Sequence, residues 1–178
     1  MTVYEQCPTD TQAQMLKVMK KHHKELVKAA ALVLCIFADA GMDAEDKPKR
    51  AVKLHGVPCA ATVRLKSAED RVIGSPDAII KIDKHIWADL PDIQRAALLD
   101  HELTHLVVEY DEHDEVAKDA ANRPKLSMRL HDFEIGVFTE VVERYGQDAL
   151  DAQNVQRLME SELGQQVFAF MEPDRKIA

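Results

Sequence analysis

Five consecutive residues, His101-Glu102-Leu103-Thr104-His105, carry the pattern H-E-x-x-H. Histidines four positions apart fall on one face of a helix, one turn from each other. Imidazole nitrogens so placed can share one Zn²⁺ at about 2.0–2.1 Å each. Glu102 follows the first histidine, where its carboxylate reaches a metal-activated water without binding the metal, the general-base place in a zinc peptidase. The neighbours Ala97, Leu98, Leu99, Leu103, Leu106 and Val107 make this helix strongly apolar. A helix of that character is buried, and the polar groups inside it need partners, which a metal and its water supply.

A catalytic zinc takes three protein ligands and keeps one position open. His131 is the first candidate for the third, with Glu134, three residues on and on the same helical face, as the alternative. Asp132 and Glu140 come after them. From His105 to His131 is 26 positions, which excludes the metzincin pattern H-E-x-x-H-x-x-G-x-x-H and suits a second helix crossing behind the first. Asp132 or Asp100 would then accept the free N–H of a liganding imidazole.

These residues need a scaffold, and the hydrophobic period outlines one. Residues 1–8 and 172–178 read as tails. From Thr9 to Ala40, Met15, Met19, Leu26, Ala30, Val33 and Phe37 recur at helical spacing, which predicts one long helix or two joined ones, ended by Gly41. Lys17, Lys20, Lys21, His22, His23, Lys24 and Lys28 form a basic cluster there, read as a solvated face. Alternation and β-branched residues predict strands over 51–54, 62–66 and 78–83, a small mixed or antiparallel sheet. The motif helix is expected from about Pro91 to Tyr110, with Asp89 as cap. The acidic stretch 109–123 reads as an exposed loop or ragged hairpin. Two C-terminal helices follow, Leu126–Tyr145 and about Asp148–Leu163, with a short strand in the tail. The fold class is α+β, one domain over 1–178.

Bulk properties narrow the function. A net charge of −8 argues against non-specific binding to nucleic acid or to an anionic membrane. Cys7, Cys35 and Cys59 are odd in number and widely spaced, so free thiols in a reducing compartment are expected rather than disulfides or a Cys₄ zinc ribbon. The most apolar run, Ala29 to Ala40, is too short to span a bilayer, and the expected location is the cytoplasm.

Four blocks carry a resemblance: KLHGVPCAATVRL at 53–65, DRVIGSPDAIIKID at 70–83, QRAALLDHELTHL at 94–106 and NRPKLSMRLHDFEIGVF at 122–138. Together they resemble the putative phage metallopeptidase family. The resemblance implies a compact zincin-like α+β domain, one zinc ion on His101 and His105, and Glu102 as catalytic base. It maps a His-Asp pair onto His131 and Asp132, which favours His131 over Glu134. More distantly the chain resembles the SprT-like and ImmA-like zinc peptidases, and it lacks the Cys-rich ribbon common in the first. By the same likeness, the strand 78–83 is expected to be the sheet edge that pairs with substrate. The expected function is a zinc-dependent peptidase acting on a protein in the cytoplasm of an infected or lysogenic bacterium, with no nucleic-acid or membrane partner and an oligomeric state left open. Two other functions fit the motif: a non-catalytic metal-binding interaction protein of the same fold, and a zinc hydrolase of a non-peptide amide. Glu102 separates the first of these, because a binding module tolerates its loss.

Overall fold

The computed structural model describes residues 1–54, 56–131 and 138–160, and the chain forms two compact units, 1–130 and 131–178. The first unit opens with a strand, β1 (Val3–Gln6), whose side chains are all exposed. It pairs antiparallel with β2 (Val33–Asp39). Part of the expected tail is therefore an edge strand, hidden from the sequence because an edge with both faces wet shows no alternation. Between these strands lie α1 (Thr9–His22) and α2 (Lys24–Lys28). Thr11, Met15, Val18 and Met19 line the buried face of α1, while Lys17, Lys20, Lys21, Lys24 and Lys28 stay exposed.

The helix does not continue to Ala40. Ala30 adopts φ 53, and the N–H groups of Ala30 and Ala31 bond to the carbonyls of Val27 and Leu26, each at 3.0 Å. This is a Schellman-type stop. Glycine would announce it; alanine conceals it and accepts a left-handed residue at a cost of roughly 1–2 kcal/mol. Beyond the stop, Val33, Cys35 and Phe37 are buried while Leu34 and Ile36 are not. That is a strand period which a helical count of the same residues also accepts.

A short hairpin, β3 (Lys53–Leu54) with β4 (Val57–Pro58), precedes β5 (Ala61–Leu65), α3 (Ala68–Val72) and β6 (Ala78–Asp83). The sheet is mixed and four-stranded, in the order β1-β2-β6-β5, with β6 parallel to β2 and antiparallel to β5. The expected strand at 51–54 belongs to the separate hairpin. The expectation that 78–83 forms a substrate-pairing edge fails, since β6 has a strand on each side; the outer strands are β1 and β5.

Asp83 ends β6 and caps α4 (Lys84–Asp89), its Oδ1 accepting the N–H groups of His85 and Ile86 at 3.2 Å each. Pro91 then leads into α5 (Asp92–Thr104), which buries Ala97, Leu98, Leu99 and Leu103. This helix ends well short of Tyr110. Leu106-Val107-Val108 instead form β7 (Leu106–Val108), antiparallel to β8 (Leu126–Met128), in keeping with the strand preference of paired valines.

The acidic stretch between β7 and β8 is a ragged hairpin with two turns of one construction. Asp111 Oδ1 accepts the N–H groups of His113 and Glu115, and Asp119 Oδ1 those of Ala121 and Arg123. Asp114 and Asn122 supply left-handed residues at φ 58 and 57. Asp43 builds the same turn over Glu45 and Lys47, with Asp46 at φ 60. Aspartate and asparagine serve because their side chains mimic a backbone turn and tolerate positive φ.

In the second unit, α6 (Thr139–Tyr145), a 3₁₀ turn (Gly146–Asp148) and α7 (Leu150–Glu160) pack around Phe138, Val141 and Ala149. The expected helix over 126–145 is corrected at its start, where 126–128 is β8; residues 132–137 of that span lie outside the described residues, as does the tail strand. Among the described residues no helix is long and apolar enough to cross a membrane.

Candidate metal centre

The last turn of α5 presents His101, and His105 follows at the C-cap with φ −66 and ψ −22. Helical geometry thus persists to His105, so the i, i+4 relation holds and the two rings stand 5.2 Å apart at 76°. Both histidines are half-buried, and Glu102 beside them is 4% exposed.

The His105 ring is held from outside the helix. Its Nδ1 lies 2.7 Å from the Arg129 carbonyl oxygen, and the Arg129 N–H donates to the His105 carbonyl, also at 2.7 Å. A carbonyl can only accept, so the ring proton sits on Nδ1 and Nε2 keeps its lone pair for a metal. Two residues past Arg129 comes His131. One nitrogen each of His101, His105 and His131 lie within 4.8 Å of one another. Nitrogens bound to one tetrahedral ion stand about 3.3 Å apart, so modest ring rotation would close the set. Three imidazoles make a donor set for zinc and its transition-metal neighbours. The Phe138 ring packs against His131 at 4.9 Å.

The other candidates fare differently. Glu134 and Asp132 lie outside the described residues. Glu140 is on α6 and is no member of the three-histidine group. His131 itself follows β8 rather than sitting on a helix face. Asp100, fully buried, is engaged by His23, whose Nε2 is 2.6 Å from Asp100 Oδ1; Thr104 Oγ1 donates to the Asp100 carbonyl at 2.7 Å. The group that holds His105 is a backbone carbonyl, which no residue type advertises. His23, which ties the end of α1 to α5, was legible only as part of the basic cluster.

The charge of Glu102 is felt on the sheet. Burial pushes the Cys59 thiol up to about 11, with Glu102 the next cause. Cys35 is raised by burial, then by Cys7 and Glu102, and Cys7 is pushed up to about 12 by burial and then by Glu5 and Asp10. All three thiols are thereby shifted away from the reactive thiolate form.

No curated protein and no solved structure matches the chain. A family model does, over residues 3–162, a span that includes every histidine of the group. With that match beside the convergent histidines, the chain belongs to the putative phage metallopeptidase family, which makes it a metallopeptidase by family and its expected substrate a protein.

Proposed function

We propose that the chain is a zinc peptidase, working as one domain over 1–178, that cleaves a protein in the cytoplasm of a phage-carrying bacterium. The approach of His101, His105 and His131 to within 4.8 Å, beside a buried Glu102, carries this reading. The family match runs through residue 131 without a break, which supports a single working domain.

The three histidines hold the metal, and the Arg129 carbonyl keeps His105 in the one tautomer that can bind it. Bound zinc supplies a Lewis acid that polarises the scissile carbonyl and lowers the pKa of a water toward about 7. Glu102 takes the proton of the attacking water and returns it to the leaving nitrogen. At 4% exposure, its carboxylate is screened from bulk water that would compete for that proton. An extended substrate has β5, the outer strand that packs against α5, as the sheet edge to pair with.

Glu102→Gln keeps the side-chain shape and removes the base. Zinc content should be unchanged, while hydrolysis of an unfolded protein substrate falls by roughly 10²–10⁴-fold. Full activity in that variant sinks the mechanism. Absence of zinc from wild type, even after zinc is supplied, favours the non-catalytic alternative.

A further inference from the structure

We propose that a basic cleft beside the β3–β4 hairpin docks an acidic stretch of the substrate chain, a proposal that rests on the peptidase reading for what the stretch belongs to. The cleft, about 700 Å³, is lined by Ala40, Lys49, Arg50, Lys53, Pro58 and Lys81 among others, four cations with no acid among the described residues. A chain of net charge −8 thus carries a second concentration of positive charge besides the exposed lysines of α1 and α2.

Among the described residues none of the four cations is in an ion pair, whereas Lys47, Lys66, Lys84, Lys125, Arg71, Arg95 and Arg123 each have a carboxylate partner. Lys49 lies within electrostatic reach of Asp43, short of a close ion pair. Two carboxylates on the same elements, Asp43 and Asp83, hold backbone N–H groups. Asp43 accepts the N–H groups of Glu45 and Lys47, and Asp83 accepts that of Ala51 at 2.8 Å while capping α4. The cations also come from separate elements: Lys49 and Arg50 from the loop, Lys53 from β3 opposite Pro58, and Lys81 from β6 opposite Thr62 of β5. Backbone pairing fixes two of the four.

The cleft lies at the Ala61 end of β5, where Lys81 is opposite Thr62 and β3 packs against β5. Cys59, next after Pro58, lies within electrostatic reach of both Lys81 and Glu102. A chain lying along β5 toward Glu102 would bring a flanking segment to these cations. Among the described residues the lining has no aromatic ring on which bases could stack. The overall negative charge repels a long polyanion, while a short acidic segment feels mainly the local field within a Debye length of about 8–10 Å. Both features favour peptide over nucleic acid.

The test is fluorescence anisotropy on the full chain with labelled hexaglutamate, with hexalysine and a single-stranded oligo-dT as competitors. Wild type should bind hexaglutamate, more weakly as salt rises. The double variant Lys49→Glu/Lys53→Glu, both residues exposed, should bind roughly ten-fold or more weaker, and Lys81→Gln a few-fold weaker. Unchanged affinity in the double variant, or no wild-type binding at low salt, overturns the proposal. So does displacement by oligo-dT at lower concentration than unlabelled hexaglutamate, which would make this a nucleic-acid cleft. The binding readout needs neither metal nor hydrolysis. Charge-dependent binding in a chain that cleaves nothing therefore counts against the peptidase reading alone and keeps the cleft as an acidic-peptide site.

Discussion

Asp77→Asn tests how the arm between β7 and β8 is held. Asp77 is 1% exposed, and its Oδ2 accepts the Leu32 N–H at 2.7 Å and Arg123 Nη2 at 2.9 Å. Its Oδ1 faces Arg71 Nη1 at 3.5 Å, a charge contact rather than a hydrogen bond. Arg71 also pairs with Asp119 and donates to the Pro124 carbonyl at 3.2 Å. One buried carboxylate thus ties two arginines, one of them on the arm, to the lead-in of β6. Asparagine preserves the shape and removes only the charge, leaving guanidiniums of 10% and 25% side-chain exposure without their shared anion. Removing one partner of a buried pair costs about 3–5 kcal/mol. Because Asp119 still faces Arg71, the lower end applies, about 3 kcal/mol. For a chain of this size that is a fall of roughly 6–12 °C in Tm. The assay is thermal and urea unfolding followed by circular dichroism, with Lys66→Gln as control. That variant breaks the more exposed Lys66–Asp70 pair and should cost less than about 1 kcal/mol. A loss in Asp77→Asn no larger than in the control would show that the buried charge does not hold the arm.

His131→Ala should leave a chain that purifies with far less than the one zinc per molecule expected of wild type, its metal affinity down by at least about ten-fold; full retention would move the third ligand to Glu134 or another carboxylate. Asp43 is held below the usual carboxylate range by the N–H groups of Lys47 and Glu45. A folded pKa below the unfolded one gives stability that is present above about pH 4 and lost as pH falls through the folded value. Urea midpoints measured between pH 3 and 6 should therefore fall toward acid less steeply in Asp43→Asn than in wild type, and identical slopes would refute the assignment.

How much was legible follows from what each period can distinguish. The motif helix stood out because Ala97, Leu98, Leu99 and Leu103 bury one stripe around polar residues, and the structure buries those same residues. β5 and β6 were legible because one or both faces are covered, so burial forces alternation or a β-branched run. β1 has no covered face and left no trace. β2 reads as helix in the sequence because V-L-C-I-F satisfies both periods and the stop before it is an alanine. The region from 126 reads as helix for a related reason: Phe133, Val137, Phe138, Val141 and Val142 suit helical spacing, yet Leu126 at the start of the span pairs in a ladder. Backbone groups were beyond reach altogether, and the Arg129 carbonyl that orients His105 is one of them.

That carbonyl also explains the 26 positions between His105 and His131. Ligand spacing suggests two crossing helices, but a ladder register brings the histidines together. Leu106 pairs with Met128, and the next pair outward is His105 with Arg129, 24 positions apart. The Arg129 N–H donates to the His105 carbonyl, and the His105 ring donates back to the Arg129 carbonyl. His105 is at once the helix cap, the last rung and a proposed ligand. If register sets the site, the place of an inserted residue should matter more than its presence. A glycine between the exposed Glu112 and His113 lengthens a loop already long, at a closure cost of well under about 0.1 kcal/mol. It disturbs one aspartate turn, so zinc content should hold. A glycine between Met128 and Arg129 shifts His131 by one position, about 3.3 Å along an extended chain, and takes the carbonyl from His105. Zinc affinity should then fall by at least about ten-fold. Equal zinc retention in the two insertion variants would refute a register-built site and return the third ligand to a separately positioned element.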